Sequence, residues 1–440
     1  MKSLAVKILL AVAVLILLAL TLMPKVIGAS IERATIDNML ALIPPEADSL
    51  FEIRRNEYSD GWFSSSTTIE FIYTPIDTNA IALTMDFDID HGPLLQTDDG
   101  LSIGLAYAVI QPSIRNDLFD IAIAELSFPR PDITLHLLAR FDQSMWVNMN
   151  VSALNFSDAA GEFNFSGLNA NVDLASDQSA YFSIQIGEVT ATENAENSNF
   201  LISGMTVTSS TAQMNDILAE SRATLTIPVV SSTLPLPFSV LDLGIDYGLQ
   251  ASSTKDNFSE LYQTIHVANI ESEIPVSSFS WLTEIKQVNN DLLHDYYRLL
   301  NELQNEINAG AETVPADFTE LGHELYLLVI QNPLELNNQI EANSYDGDHS
   351  AELRALWTGL SALNTAEELN INAAIAALNM TLDISLDLES ILRSPLAGVI
   401  EPYVQQGYLT IANGRILIEA NLQDSVLRVN GDELPLDQFF

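Results

Sequence analysis

Residues 81–91 read Ile-Ala-Leu-Thr-Met-Asp-Phe-Asp-Ile-Asp-His, and every second side chain changes character. Ile81, Leu83, Met85, Phe87 and Ile89 fall on one side of an extended chain, while Thr84, Asp86, Asp88 and Asp90 fall on the other. Period two over this length predicts a half-buried antiparallel strand. His91 continues the apolar series, and Gly92-Pro93 ends it, because proline cannot donate to a central ladder. The next alternating run begins at Leu101 with Ile103, Leu105 and Tyr107, so residues 91–100 connect two strands.

The same period recurs on both sides. Phe51 and Ile53 precede a Ser59-Asp60-Gly61 turn, after which Ile69, Phe71 and Tyr73 alternate, as in a hairpin. Met145, Val147, Met149 and Val151 repeat the pattern, as do Leu382, Ile384, Leu386 and Leu388, and Ile416, Ile418, Ala420 and Leu422. Phe163-Asn-Phe-Ser-Gly-Leu168 and Phe200-Leu-Ile-Ser-Gly-Met205 are similar to each other, with Ser-Gly marking a bulge or tight bend in each. Between 281 and 380 the spacing turns helical. Ile285, Val288, Leu292, Tyr296, Leu299 and Leu303 fit one helix ended by Gly310. Asp317 with Glu320 and Thr365 with Glu368 fit capping boxes, and Ser350 fits a cap for Leu353, Leu356, Trp357 and Leu360.

The expected fold is therefore mainly β with an α insert: a large curved antiparallel sheet or a two-layer β structure, a helical segment near 281–380, and an N-terminal transmembrane helix. Its division is 1–28 anchor, 29–49 juxtamembrane helix and linker, 50–280 antiparallel β region, 281–380 helical insert, and 381–440 C-terminal β region completing the sheet. At 440 residues the chain exceeds the length at which one core stops growing.

Lys2 and Lys7 lead into an apolar run from Ile8 to Met23, followed by Pro24 and Lys25. About 20 residues cross a hydrocarbon core roughly 30 Å thick, so a retained anchor is expected over cleavage near Ile27-Gly28-Ala29. The lysines at the short end put the N-terminus in the cytoplasm and the body outside it, which in a bacterium is the periplasm.

The 59 Asp and Glu against 17 Lys and Arg give a net charge of −42, which excludes phosphate-backbone binding and hence nucleic acid as a partner. A saline habitat accounts for such acidity. The chain has no cysteine, so disulfides, thiolate zinc sites and cysteine nucleophiles are absent.

Candidate chemistry is thin. His91 as a catalytic base needs a carboxylate partner, but Asp90 points to the opposite strand face, and a strand-end histidine bonded to nearby backbone is the simpler reading. Asp86, Asp88 and Asp90 step at roughly 6–7 Å, too wide for one compact metal shell, and read as a solvated acidic face. Asp346-Gly-Asp-His349 lacks the distal Glu of a calcium loop and reads as an interhelical loop. His136, His266, His294 and His323 have no metal-ligand spacing, and no nucleophile elbow, Walker loop or dinucleotide fingerprint occurs. No catalytic residue, metal or cofactor is expected.

Tyr58-Ser-Asp-Gly-Trp-Phe-Ser-Ser65, His91-Gly-Pro-Leu94, and Gly407-Tyr-Leu409 running into Val429-Asn-Gly431, behind an apolar N-terminus, resemble the uncharacterised bacterial YdgA-like family of membrane-anchored envelope proteins. Gly61, Trp62, Phe63, Ser64, His91, Gly92 and Pro93 carry the most specific part of the likeness, and Asp60 stands where it implies a basic residue. The resemblance implies an inner-membrane protein with a periplasmic domain, and supplies no reaction.

Three functions compete. An apolar β surface lined by Leu83, Met85, Phe87, Leu105 and Tyr107 would shelter lipid or another hydrophobic ligand. An envelope scaffold would meet a partner or a second copy through the helical insert. An enzyme would need a site assembled from distant residues.

Overall fold

The computed structural model describes residues 23–25, 27, 51–73, 81–98, 100–115, 131–157, 159, 161–194, 198–233, 237–253, 256–272, 275–296, 298–299, 326–327, 329–360 and 370–434. Antiparallel strands dominate, as the alternation predicts, and divide between two compact units.

In the first unit, β1 (Phe51–Asp60), β2 (Ser64–Tyr73), β3 (Ile81–His91), β6 (Ala106–Arg115), β7 (Ile133–Ala139) and β8 (Met145–Val151) pair antiparallel in that order. Strands Leu168–Leu174 and Ala180–Ile186 extend the series beyond β8. The short hairpin of β4 (Leu94–Thr97) and β5 (Gly100–Ile103) leaves the sheet between β3 and β6. Opposite residues share a face, so the register sorts the side chains. Ile69, Phe87, Ile89, Ala108 and Ile110 form a buried cluster on one face, and Asp86, Asp88 and Asp90 stand exposed on the other.

In the second unit, the strands 189–193, 198–202, 221–232, 238–251, 258–272, 276–289, 334–344, 347–357, 378–387 and 415–423 pair antiparallel in that order. Gly167 and Gly204 both have left-handed backbone, at φ 102° and 104°, so the two Ser-Gly positions do turn the chain alike.

The helical insert is largely corrected. Ile285 and Val288 belong to the strand Val276–Asn289, and the helix starts only at residue 290. The cause is a bulge: Leu261 pairs Ile285 and Ser259 pairs Val288, so this strand carries one extra residue, beside Gln287 at φ 60°. The extra residue returns two apolar side chains to one face at a spacing of three, which imitates a helix. Ser350, Leu353, Leu356 and Trp357 lie in the strand Gly347–Trp357, where Ser350 pairs Ser385 and caps nothing. Asp346 is no interhelical residue. Tyr345 and Asp346, with φ 51° and 58°, form a two-residue hairpin turn closed by Ser344 and Gly347.

Helices Ile371–Ala377, Leu388–Arg393 and Ile400–Gln405 are described, the last two inside the region expected to be β. Asp387 caps the second, its carboxylate accepting the Ser390 N–H at 2.8 Å. Among the described residues no helix is long and apolar enough to cross a membrane. The expected anchor apart from residues 23–25 and 27, the juxtamembrane helix and linker at 29–49, Leu303, Gly310 and both capping boxes lie outside the described residues.

Candidate functional site

The Gly61–Ser64 and His91–Pro93 elements meet at one end of the first unit. The Gly61 N–H donates to the Ser64 carbonyl at 2.9 Å, closing the β1–β2 turn, and the His91 N–H donates to the Phe63 carbonyl at 2.8 Å. His91 is buried, and its Nε2 lies 3.0 Å from Ser65 Oγ, so its partner is a side chain rather than backbone. Among the described residues its Nδ1 has no hydrogen-bond partner. The Gly92 N–H donates to the Leu105 carbonyl at 2.7 Å, and a Cβ at Gly92 would sit 1.8 Å from the Gly104 carbonyl oxygen. His91 and Gly92 therefore secure a crossing of backbone. Trp62 and Phe63 stay exposed.

The sheet's polar face holds a second group. His136 Nδ1 lies 2.7 Å from Tyr107 Oη and 3.1 Å from Asp98 Oδ2, so the β4–β5 hairpin is fixed over β6 and β7. Beside it, Asn148 donates to Asn171 at 2.9 Å, Asn171 to Asn169 at 2.8 Å, Asn169 to Asn150 at 2.7 Å, and Asn150 to Asn148 at 2.5 Å. This ring of amides satisfies itself, which is the behaviour of structural polar groups. Among the described residues no cluster of three or more His, Asp or Glu has the arrangement of a metal site.

The five residues expected to line an apolar groove do not share one surface. Leu83, Met85 and Phe87 are on the apolar face of β3, with Phe87 sealed in the core cluster. Tyr107 is buried on the opposite face, paired with Asp90, and Leu105 lies in the bend before β6.

A wide apolar surface occurs instead in the second unit. One cross-strand row runs Leu225, Ile245, Ile265, Trp281, Ile340, Ala351, Ile384, Ile418. The adjacent row on that face runs Ala223, Tyr247, Gln263, Thr283, Asn338, Leu353, Leu382, Ala420. None of these sixteen side chains carries a formal charge or is fully buried. Tyr247 is 46% exposed, Trp281 39% and Ile340 37%. Asn338 Oδ1 accepts from Trp281 Nε1 at 2.7 Å and Thr283 Oγ1 at 2.8 Å, which quiets its polarity. Cover exists toward one end of the strands, where Ile391 and Ile400 pack on Ile416 with Leu386.

The opposite face of the same strands is ionic. Arg222 bonds Asp246 at 3.1 Å, and the Asp246 carboxyl is held below the usual range chiefly by the Thr224 hydroxyl. Glu284 is lowered likewise, first by the Asn337 amide and then by Lys286, against opposing burial. Sequence reasoning missed the apolar rows, although Phe279, Trp281 and Thr283 already alternate.

The model of a bacterial protein family of unknown function, DUF945, matches residues 1–437. The chain belongs to this family. No curated protein and no solved structure matches this DUF945 member.

Proposed function

We propose that this DUF945 protein is a non-catalytic, membrane-anchored envelope protein whose body lies outside the cytoplasm and holds lipid acyl chains on the second unit's apolar face. The observation that carries the reading is the pair of uncharged rows with Trp281 and Ile340 left open to solvent. Eight strands at about 4.8 Å make a strip roughly 34 Å long, more than twice the ~15 Å depth of one leaflet's hydrocarbon. Exposed apolar surface on this scale is characteristic of binding sites. The N-terminal run from Ile8 to Met23 makes membrane lipid the nearest supply.

The test is mass spectrometry of lipid retained by gently extracted full-length protein, with Ile340→Glu beside wild type. Ile340 is open enough for the variant to fold, and a carboxylate in the strip should remove most bound lipid. Lipid-free wild type, or a folded variant with undiminished lipid, would overturn the reading. Protease access in spheroplasts tests the location: cleavage of the body in intact cells with permeabilised outer membranes is expected.

A further inference from the structure

Apart from Tyr181 in the strand Ala180–Ile186, the exposed large apolar side chains described in the first unit lie on connections at one end of its sheet. Phe63 is 58% exposed in the β1–β2 turn, beside half-exposed Trp62. The β4–β5 hairpin turns Leu95 and Thr97 inward, so Leu94, Leu101 and Ile103 face outward, the last two more than two-thirds exposed. The hairpin leaves the sheet where β3 ends and β6 begins, and the His91 N–H bond to Phe63 fixes the turn beside that point.

The last residue of the chain's apolar N-terminal run is close to a contact at the same end. The run finishes at Met23, and Lys25 forms an ion pair with Asp60, the last residue of β1. Asp60 thus ties Lys25 to the turn carrying Trp62 and Phe63. Only Pro24 separates Met23 from Lys25, so the tether is at most about 7 Å long.

We propose that this end of the first unit is a bilayer-contacting surface, with Phe63 and Trp62 and the outward side of the β4–β5 hairpin seated in the interfacial layer of the membrane that holds the N-terminal run. The proposal rests on the anchoring reading above. Aromatic and aliphatic side chains on a rim beside a span are the chemistry of that layer. Asp142 and Asp177, in turns at the same end, favour neutral over anionic headgroups.

The absence of cysteine allows single labels. Phe63→Cys, Ile103→Cys and Gln111→Cys are each made in the full-length chain, labelled with a fluorophore, and reconstituted into phosphatidylcholine vesicles carrying acyl-chain nitroxides. Gln111 is exposed, five residues along β6 from Ala106 and hence about 17 Å from the rim. Labels at 63 and 103 should be quenched severalfold more strongly by the lipid nitroxide than the label at 111, and shielded from aqueous iodide. Vesicle flotation is measured in parallel. Protein that floats with the vesicles while either rim label behaves like that at 111 overturns this proposal and leaves the anchor standing. Protein that does not float overturns both.

Discussion

Replacing Gly92 with alanine tests whether the His-Gly-Pro element is a backbone crossing. The new Cβ would meet the Gly104 carbonyl oxygen at 1.8 Å, its carbon at 2.9 Å and the Leu105 oxygen at 3.0 Å. All three are main-chain atoms, so no rotamer change relieves the contact. Residues 104 and 105 have little room to retreat. The Gly104 N–H donates to Pro93 at 3.2 Å, the Leu105 N–H to Ala139 at 2.8 Å, and a retreat of either strains the bond from the Gly92 N–H. Overpacking costs about 1–3 kcal/mol and a lost backbone hydrogen bond about 1. The sum is about 3 kcal/mol, which at 1.4 kcal/mol per decade raises local opening roughly a hundredfold. Amide exchange of peptides spanning residues 88–110 reads that opening without assuming that a two-unit chain unfolds in one step. Gly398→Ala is the control, because nothing lies within 4 Å of its Cβ, and it should change little. Wild-type protection in Gly92→Ala would refute the crossing.

Asn169→Ala opens the amide ring, leaving Asn150 Oδ1 and one Asn171 amide hydrogen without their partners. A loss of about 1–2 kcal/mol is expected in urea unfolding, and Asn169→Asp should cost more at neutral pH, because it exchanges a donor for a charge beside an acceptor. Glu284 has a folded pKa below its usual 4.5, so its contribution to stability is full above that value and is lost as pH falls through the lowered one. Glu284→Gln should therefore lose less stability than wild type on acidification from about pH 6 to pH 3. With a net charge of −42, raising salt from about 0.1 to 1 M shortens the screening length from about 10 to 3 Å and should raise the melting temperature.

A strand is most legible where a single face is buried with no irregularity. β3 is the clearest, since Phe87 and Ile89 are buried while Asp86, Asp88 and Asp90 are exposed, as alternation requires. The strand 276–289 misled because its bulge near Gln287 places Ile285 and Val288 on one side. The strand 347–357 misled for another reason. Leu353 and Leu356 occupy opposite faces, both half-buried, so no single face carried the hydrophobicity. The helix at Leu388–Arg393 had a signal in Asp387 that the preceding alternation obscured. What no local reading reaches is register. The Asn148-Met-Asn150 and Asn169-Ala-Asn171 pairs are visible in the sequence, but their closure into a ring depends on Asn148 opposing Asn171.

The candidate lipid surface depends on register most of all, and its composition argues against an unfinished core. Asp246 lies between Ile245 and Tyr247, Glu352 between Ala351 and Leu353, Asp383 between Leu382 and Ile384, and Glu419 between Ile418 and Ala420. Four of the eight strands thus alternate a carboxylate with the rows, and the in-register pairings keep these four on the other face. Water contact alone imposes no such exclusion, because a carboxylate at the position of Ile340, more than a third exposed, stays hydrated at small cost. Cover by the protein itself would justify the exclusion, yet among the described residues Trp281 and Ile340 stay 39% and 37% exposed. The occupant proposed above, an apolar molecule from outside the chain, would account for this exclusion and would meet no formal charge along the two rows.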